Sequence, residues 1–161
     1  MLEDDPDWHR RALDLAGRSH DLLSFLDEVL HFHPNARLAG TATYHDSCSG
    51  LRELGIKRQP RRLLGEVEEL ALVEMDEAET CCGFGGTFCV KYPDISARMA
   101  SQKVTNIRTS GADTLIGGDL GCLLNLSGRL SRLGQPVRVF HAAEVLAGMT
   151  DGPAIGEGSG A

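Results

Sequence analysis

From residue 37 onward the chain alternates short β-prone apolar runs with longer stretches whose apolar residues recur every three or four positions. The runs lie at 37–44 (around Ala42-Thr43-Tyr44), 70–75, 114–116 and 137–140, the last opened by Pro136. Runs of this length and composition predict strands. Helices are predicted over 50–54 and 60–67, interrupted at Gly55 and Pro60, and again over 93–108. In the last of these Ile95, Met99, Val104 and Ile107 fall on one side and Gly111 stops the helix. Two more are predicted at 123–133, closed by Gly134, and through Leu146. Upstream, residues 6–18 read as one helix. Leu22, Leu23, Phe25, Leu26, Val29 and Leu30 read as the apolar face of a second, capped within Ser19-His20-Asp21. Strand and helix in strict alternation predict an α/β fold: a parallel sheet of about four strands flanked by helices, with leading N-terminal helices.

Composition narrows the class. A chain of 161 residues is one domain in size. No run reaches the roughly 18 apolar residues of a membrane span, and the acidic start Glu3-Asp4-Asp5 has the wrong sign for a signal peptide. A net charge of −7 without a basic, aromatic-rich patch excludes nucleic acid as a partner. Residues 150–161 are rich in Gly, Ser and Pro and read as a disordered tail. Five cysteines are an odd number with no disulfide framework around them. In a cytoplasmic setting, which is the expected location, that pattern points to metal or catalysis.

The chemistry centres on Cys81-Cys82-Gly83-Phe84-Gly85-Gly86. Adjacent cysteines pair poorly with each other, since a vicinal disulfide strains the intervening peptide, but one loop can present both sulfurs to a soft metal centre. The bland alternative is a pair of small buried hydrophobes beside a turn. Topology separates the two. In an open parallel sheet the loops leaving the strands' C-terminal ends share one edge. Cys48 follows the first predicted strand, Cys81 and Cys82 the second, Asp119 and Cys122 the third, and His141 ends the fourth. Cys89 lies outside this pattern and reads as packing. Helix N-termini on the same edge favour anionic ligands, and a loop hinged at Gly83 can add N–H donors to sulfur. His45 and His141, both at strand ends, could hydrogen-bond cluster sulfur or carry a proton, or could simply close a strand and cap a helix. Cys48, Cys81, Cys82 and Cys122 are thus the candidate metal ligands. Structural zinc usually shows C-x-x-C knuckles, absent here, so an iron–sulfur cluster is the first expectation and zinc the alternative. A thiol–disulfide enzyme using Cys81 or Cys82 is a third reading.

The segments Tyr44-His45-Asp46-Ser47-Cys48, Cys81 to Phe88, and Cys122-Leu123-Leu124-Asn125 resemble the cysteine-rich CCG domain. That domain occurs in heterodisulfide reductases, in the glycolate oxidase iron–sulfur subunit and in the lactate-utilisation iron–sulfur proteins. The last group is the nearest in pattern, through Leu115-Ile116-Gly117, Asp119 and Ala143-Glu144-Val145-Leu146 as well. The resemblance implies one CCG domain over residues 1–149, in a single copy, similar to the C-terminal half of a lactate-utilisation subunit. It further implies a cluster of the 4Fe–4S type in an electron-carrying subunit of a complex that oxidises L-lactate to pyruvate. The subunit itself would be non-catalytic. Other iron–sulfur or flavin subunits would be partners, a separate chain could supply the first cysteine-rich unit, and contact with a membrane would be peripheral, through partners. One departure stands out: the family motif ends C-x-x-C, and here Asp119 replaces the first of that pair. A carboxylate is a harder ligand than a thiolate, so Asp119 is a ligand to one iron, the mark of a labile site, or a helix cap.

Overall fold

The four parallel strands β1 (Arg37–His45), β2 (Glu68–Leu72), β3 (Thr114–Gly117) and β4 (Arg138–His141) form one sheet in the order β2–β1–β3–β4. The chain is described by a computed structural model that covers residues 3–158. The helices are α1 (Pro6–Gly17), α2 (Leu22–Ser24), α3 (Arg58–Gly65), α4 (Phe88–Lys91), α5 (Pro93–Thr109), α6 (Leu120–Arg132) and α7 (Ala142–Leu146). This is the α/β architecture that the alternation predicts, and no helix among the described residues is long and apolar enough to cross a membrane.

Period-two alternation divides the core. On β3 and β4, Ile116 and Phe140 face one layer with Leu63, Leu64, Val145 and Leu146 of α3 and α7. Leu115 and Val139 face the other, with Val104 and Ile107 of α5 and Leu123, Leu126 and Leu130 of α6. Cys82 and Cys122 belong to this second layer. The strand order reverses beside β1, whose neighbours are β2 and β3. A crevice therefore opens between the C-terminal ends of β1 and β3, where open α/β sheets bind ligands.

Several boundaries differ from the pattern-based expectation, each for a local reason. The second predicted helix is α-helical only over α2 and widens to a π-helical turn over Phe25–Val29; residues 50–54 likewise form a π-helical turn, Ser49–Glu53. Strand β2 stops at Leu72 instead of Met75: the Val73 amide still donates to the Ala42 carbonyl at 2.8 Å, and Met75 then turns into the α5–α6 core. Helix α6 begins three residues before the predicted Leu123, because Asp119 caps it.

The larger correction is the tail. As far as Glu157 it lies along the outer edge of β4. The Ile155 amide donates to the Val139 carbonyl at 2.8 Å, the Ser127 hydroxyl donates to the Ile155 carbonyl at 2.6 Å, and Arg138 bonds the carbonyls of Thr150 and Gly152. Composition hid this because docking here runs mainly through backbone groups, which otherwise would leave the β4 edge unpaired. Residues 159–161 of the predicted tail lie outside the described residues.

The end of β1 is clamped. The Asp46 carboxylate, fully buried, accepts two hydrogen bonds from Arg61 at 2.9 and 2.8 Å, and Arg61 also reaches Glu74 and the Lys57 carbonyl. One guanidinium thus joins β1, α3 and the segment leaving β2. Removing one partner strands a buried charge. Arg61→Met is expected to lower stability by about 3–5 kcal/mol, read as a lower urea midpoint. Arg61→Lys should recover little, since an ammonium cannot make the paired contact.

Candidate metal centre

Three loops build the site. His45 ends β1 on the face turned toward α5 and α6, and only 1% of it is exposed. Among the described residues neither ring nitrogen has a hydrogen-bond partner. A buried imidazole in that condition is costly unless another group satisfies it. Three residues on, half-buried Cys48 opens the π-helical turn, and its thiol is close enough to that of Cys81 for the two to interact.

The second loop carries the adjacent pair. Gly83 has φ +87°, and a Cβ there would come within 2.7 Å of the Ser96 carbonyl oxygen on α5. Only glycine both takes this turn and lets the loop seat against the helix. The turn directs the Gly83 amide to the Cys81 sulfur at 3.4 Å and the Phe84 amide to the Cys82 sulfur at 3.5 Å. Asn125 of α6 holds the loop from the other side, donating to the Cys82 carbonyl at 3.0 Å. Phe84 lies over the first turn of α6, where a Cβ on Gly121 would sit 2.5 Å from its ring.

The third loop is the β3–α6 junction. Asp119 is the N-cap of α6, and its carboxylate accepts the Cys122 amide at 2.9 Å. The cap fixes Cys122 in the first turn of a 13-residue helix, where the positive end of the dipole faces sulfur.

Together the loops bring the ligand atoms of His45, Cys82 and Cys122 within 4.8 Å of one another, all three residues buried. Cys48 and Cys81 lie outside that compact group, though Cys81 and Cys82 are both near enough to act on the Cys48 thiol. The thiol of Cys82 is held down to about 4, chiefly by the neighbouring Cys122 thiol and further by the nearness of the His45 ring and by the Phe84 amide, against the opposing effect of burial. Cys122 is pushed well up by the neighbouring Cys82 and by burial. Burial also raises the Cys48 thiol, with Arg52 opposing. Without metal, the contact thus favours one thiolate over two across the Cys82–Cys122 pair. A cavity of about 160 Å³ opens alongside, between the ends of β1 and β3, lined in part by Asp21, Tyr44, Ser47 and Asp119.

The remaining candidates are placed differently. His141 serves as the N-cap of α7: its Nδ1 accepts the Ala143 amide at 3.1 Å while Glu144 accepts the His141 amide. Cys89 lies on α4 and its thiol donates to the Gly86 carbonyl at 3.2 Å. Sequence reasoning passed over Asn125 and Gly121 as parts of the site, along with the buried Lys103 on α5. For Lys103 a signal was present, a charged residue between Ala100, Val104 and Ile107 on an apolar helix face.

Four thiols, an imidazole lacking partners and two amides aimed at sulfur are a donor set suited to a thiophilic metal centre. The sequence profile of the cysteine-rich domain, CCG, matches residues 42–127, which contain all three loops. This chain belongs to the CCG cysteine-rich domain family. Its relatives include several proteins named Lactate utilization protein A. That of Geobacillus kaustophilus (strain HTA426) is 50% identical over 147 residues, that of Geobacillus thermodenitrificans (strain NG80-2) 49% and that of Bacillus pumilus (strain SAFR-032) 47%. Each match takes in 91% of this chain and 62% of the relative, so the chain spans a little under two thirds of the length of these curated relatives.

The favoured thiolate has a measurable consequence for this CCG domain. In the folded, metal-free protein one thiolate should persist from neutral pH until the pH falls through about 4, where Cys82 is protonated. An ordinary thiol would already be protonated below about 8.5. Thiolate ultraviolet absorbance against pH reads this, and Cys82→Ser should abolish the low-pH signal.

Proposed function

We propose that this chain binds an iron–sulfur cluster of the 4Fe–4S type and carries electrons within a complex that oxidises L-lactate to pyruvate. The supporting observation is the convergence of four thiols and one unpartnered imidazole at a single sheet edge, with backbone amides aimed at two of the sulfurs. When bound, such a cluster supplies one-electron transfer. Cys48, Cys81, Cys82 and Cys122 would hold it. Gly83 and Phe84 would supply N–H donors to sulfur, which raises a cluster's potential, and His45 would give a ring N–H to sulfur or thiolate. Phe84, packed on Gly121, would keep water from one side. The lactate assignment rests on what the relatives are called. The partners it implies are flavin or other iron–sulfur subunits, and a cysteine-rich unit on another chain; the complex would be cytoplasmic, peripheral to a membrane at most.

Zinc is the second reading, because His45, Cys82 and Cys122 are compact enough for one ion, and one further thiol would complete a His-Cys₃ set. The cluster is favoured because two further thiols, Cys48 and Cys81, lie around that compact group, and a closed zinc site takes only about four ligands. Anaerobic reconstitution separates the two. We expect iron and acid-labile sulfide in the protein, with broad visible absorption that bleaches on reduction. Zinc uptake with neither iron nor sulfide would overturn the cluster reading.

Asp119 is assigned to positioning Cys122 through the α6 cap. Asparagine caps as well as aspartate, so Asp119→Asn should keep iron content and visible spectrum. Asp119→Ala should lose about 0.5–2 kcal/mol of stability, measured by urea denaturation. A changed spectrum in Asp119→Asn would instead mark the carboxylate as a ligand.

A further inference from the structure

Helix α5 carries one residue that its apolar face does not explain. Lys103 is 1% exposed, as fully buried as its neighbours Ala100, Val104 and Ile107, which pack in the same core layer as Cys82 and Cys122. Its ammonium donates to the backbone carbonyls of Glu77 and Ala78, the latter at 3.1 Å. Those carbonyls belong to the turn that leads directly into Cys81 and Cys82. The nearby Glu77 carboxylate accepts from Asn106 at 3.1 Å, so both hydrogen bonds from Lys103 go to neutral acceptors. Burial pulls the ammonium's pKa down, and the groups that hold it up are Cys82 first, then Glu77, Asp46 and Cys81.

A buried cation without a direct carboxylate partner is unfavourable unless a nearby negative charge compensates it. A leucine or methionine would fill the same volume, and a neutral donor could serve the two carbonyls. What only a cation adds is charge, and the groups near it that can carry the opposite charge are the Glu77 and Asp46 carboxylates and the sulfurs of Cys82 and Cys81, to whose loop its two hydrogen bonds tie it. In a low-dielectric layer a fixed cation favours deprotonated sulfur, and favours the state with one more electron.

We infer that Lys103 is a positioning residue for the metal centre and its fixed counter-charge. It ties the Glu77–Ala78 turn to α5 and sets a fixed positive charge behind the Cys81–Cys82 loop, which favours bound metal and the reduced state. The redox part rests on the iron–sulfur reading above; the counter-charge part does not.

Three variants of the full chain separate charge from packing. Lys103→Met removes charge and donors, Lys103→Gln keeps a donor without charge, and Lys103→Arg keeps the charge. After anaerobic reconstitution, iron, sulfide and midpoint potential are measured for each, with far-ultraviolet circular dichroism to verify folding. In Lys103→Met and Lys103→Gln the equilibrium for cluster reduction should fall about tenfold, equivalent to about 59 mV lower for a one-electron couple. Lys103→Arg should recover most of that shift. If Lys103→Met does not fold, Lys103→Gln alone decides. A neutral variant that holds a full cluster at the native potential overturns the inference and leaves Lys103 a structural tie. If the native chain takes zinc without iron or sulfide, the cluster reading fails and competition titration of zinc becomes the readout. Zinc affinity about tenfold weaker in Lys103→Gln but not in Lys103→Arg then upholds the counter-charge, and equal affinities overturn it.

Discussion

Sulfur ligands are useful to a metal as anions, and anions held together inside a protein repel one another. A chain of net charge −7 that gathers four thiols at one sheet edge must supply positive potential there. It does so with fixed groups. Two amides of the glycine loop point at Cys81 and Cys82, the N-terminus of α6 faces Cys122, Arg52 acts on Cys48, and Lys103 is buried behind the pair. The preference for one thiolate across Cys82 and Cys122 is the metal-free form of the same compromise: one anion is stabilised, a second is suppressed. A bound cation would displace the remaining proton, and so metal affinity should be coupled to proton release.

The fold serves this constraint by keeping the loops from relaxing apart. Each thiol-bearing loop is tied to the scaffold, the Cys81–Cys82 loop on several sides. The Cys81–Cys82 loop is held by Lys103 and Asn106 at Glu77, by Ser96 under Gly83, and by Asn125 at the Cys82 carbonyl. The Asp46–Arg61 pair fixes the end of β1 one residue beyond His45, and the Asp119 cap fixes Cys122. These ties use backbone carbonyls, caps and a buried ion pair, and they leave the sulfurs and the imidazole of His45 with spare capacity for a ligand. That division between satisfied scaffold and unsatisfied donors is the physical signature of a preorganised site.

Much of this was legible in the sequence because it depends on periodicity and order. Four apolar runs separated by amphipathic helices imply a parallel sheet, and a parallel sheet sends its post-strand loops to one edge. From that alone Cys48, Cys81, Cys82 and Cys122 could be placed together without any distance in hand. Strand order was not legible, since 2–1–3–4 and other arrangements share the same pattern along the chain. Nor were effects that act across the chain at the level of backbone groups. The docking of Ile155 on β4 is an example; the seat of Gly83 on Ser96 is another. The two histidines show the limit from the other side. His45 and His141 both end strands, and sequence treats them alike. The structure gives the His141 ring a capping role at the outer strand β4, whereas His45 lies at the reversal of strand order with both nitrogens free of protein partners.

Asp119 follows from the same geometry. Where the C-x-x-C ending that the sequence resembles would have a cysteine, a carboxylate supplies one sulfur fewer to the edge and a helix cap instead. Capping engages one of the two carboxylate oxygens, which accepts the Cys122 amide at 2.9 Å and so points that oxygen into the helix. The substitution also places another negative group beside the Cys122 thiol, which favours its protonated form. Both effects act on Cys122: the cap sets where the sulfur sits, and the carboxylate weakens its acidity.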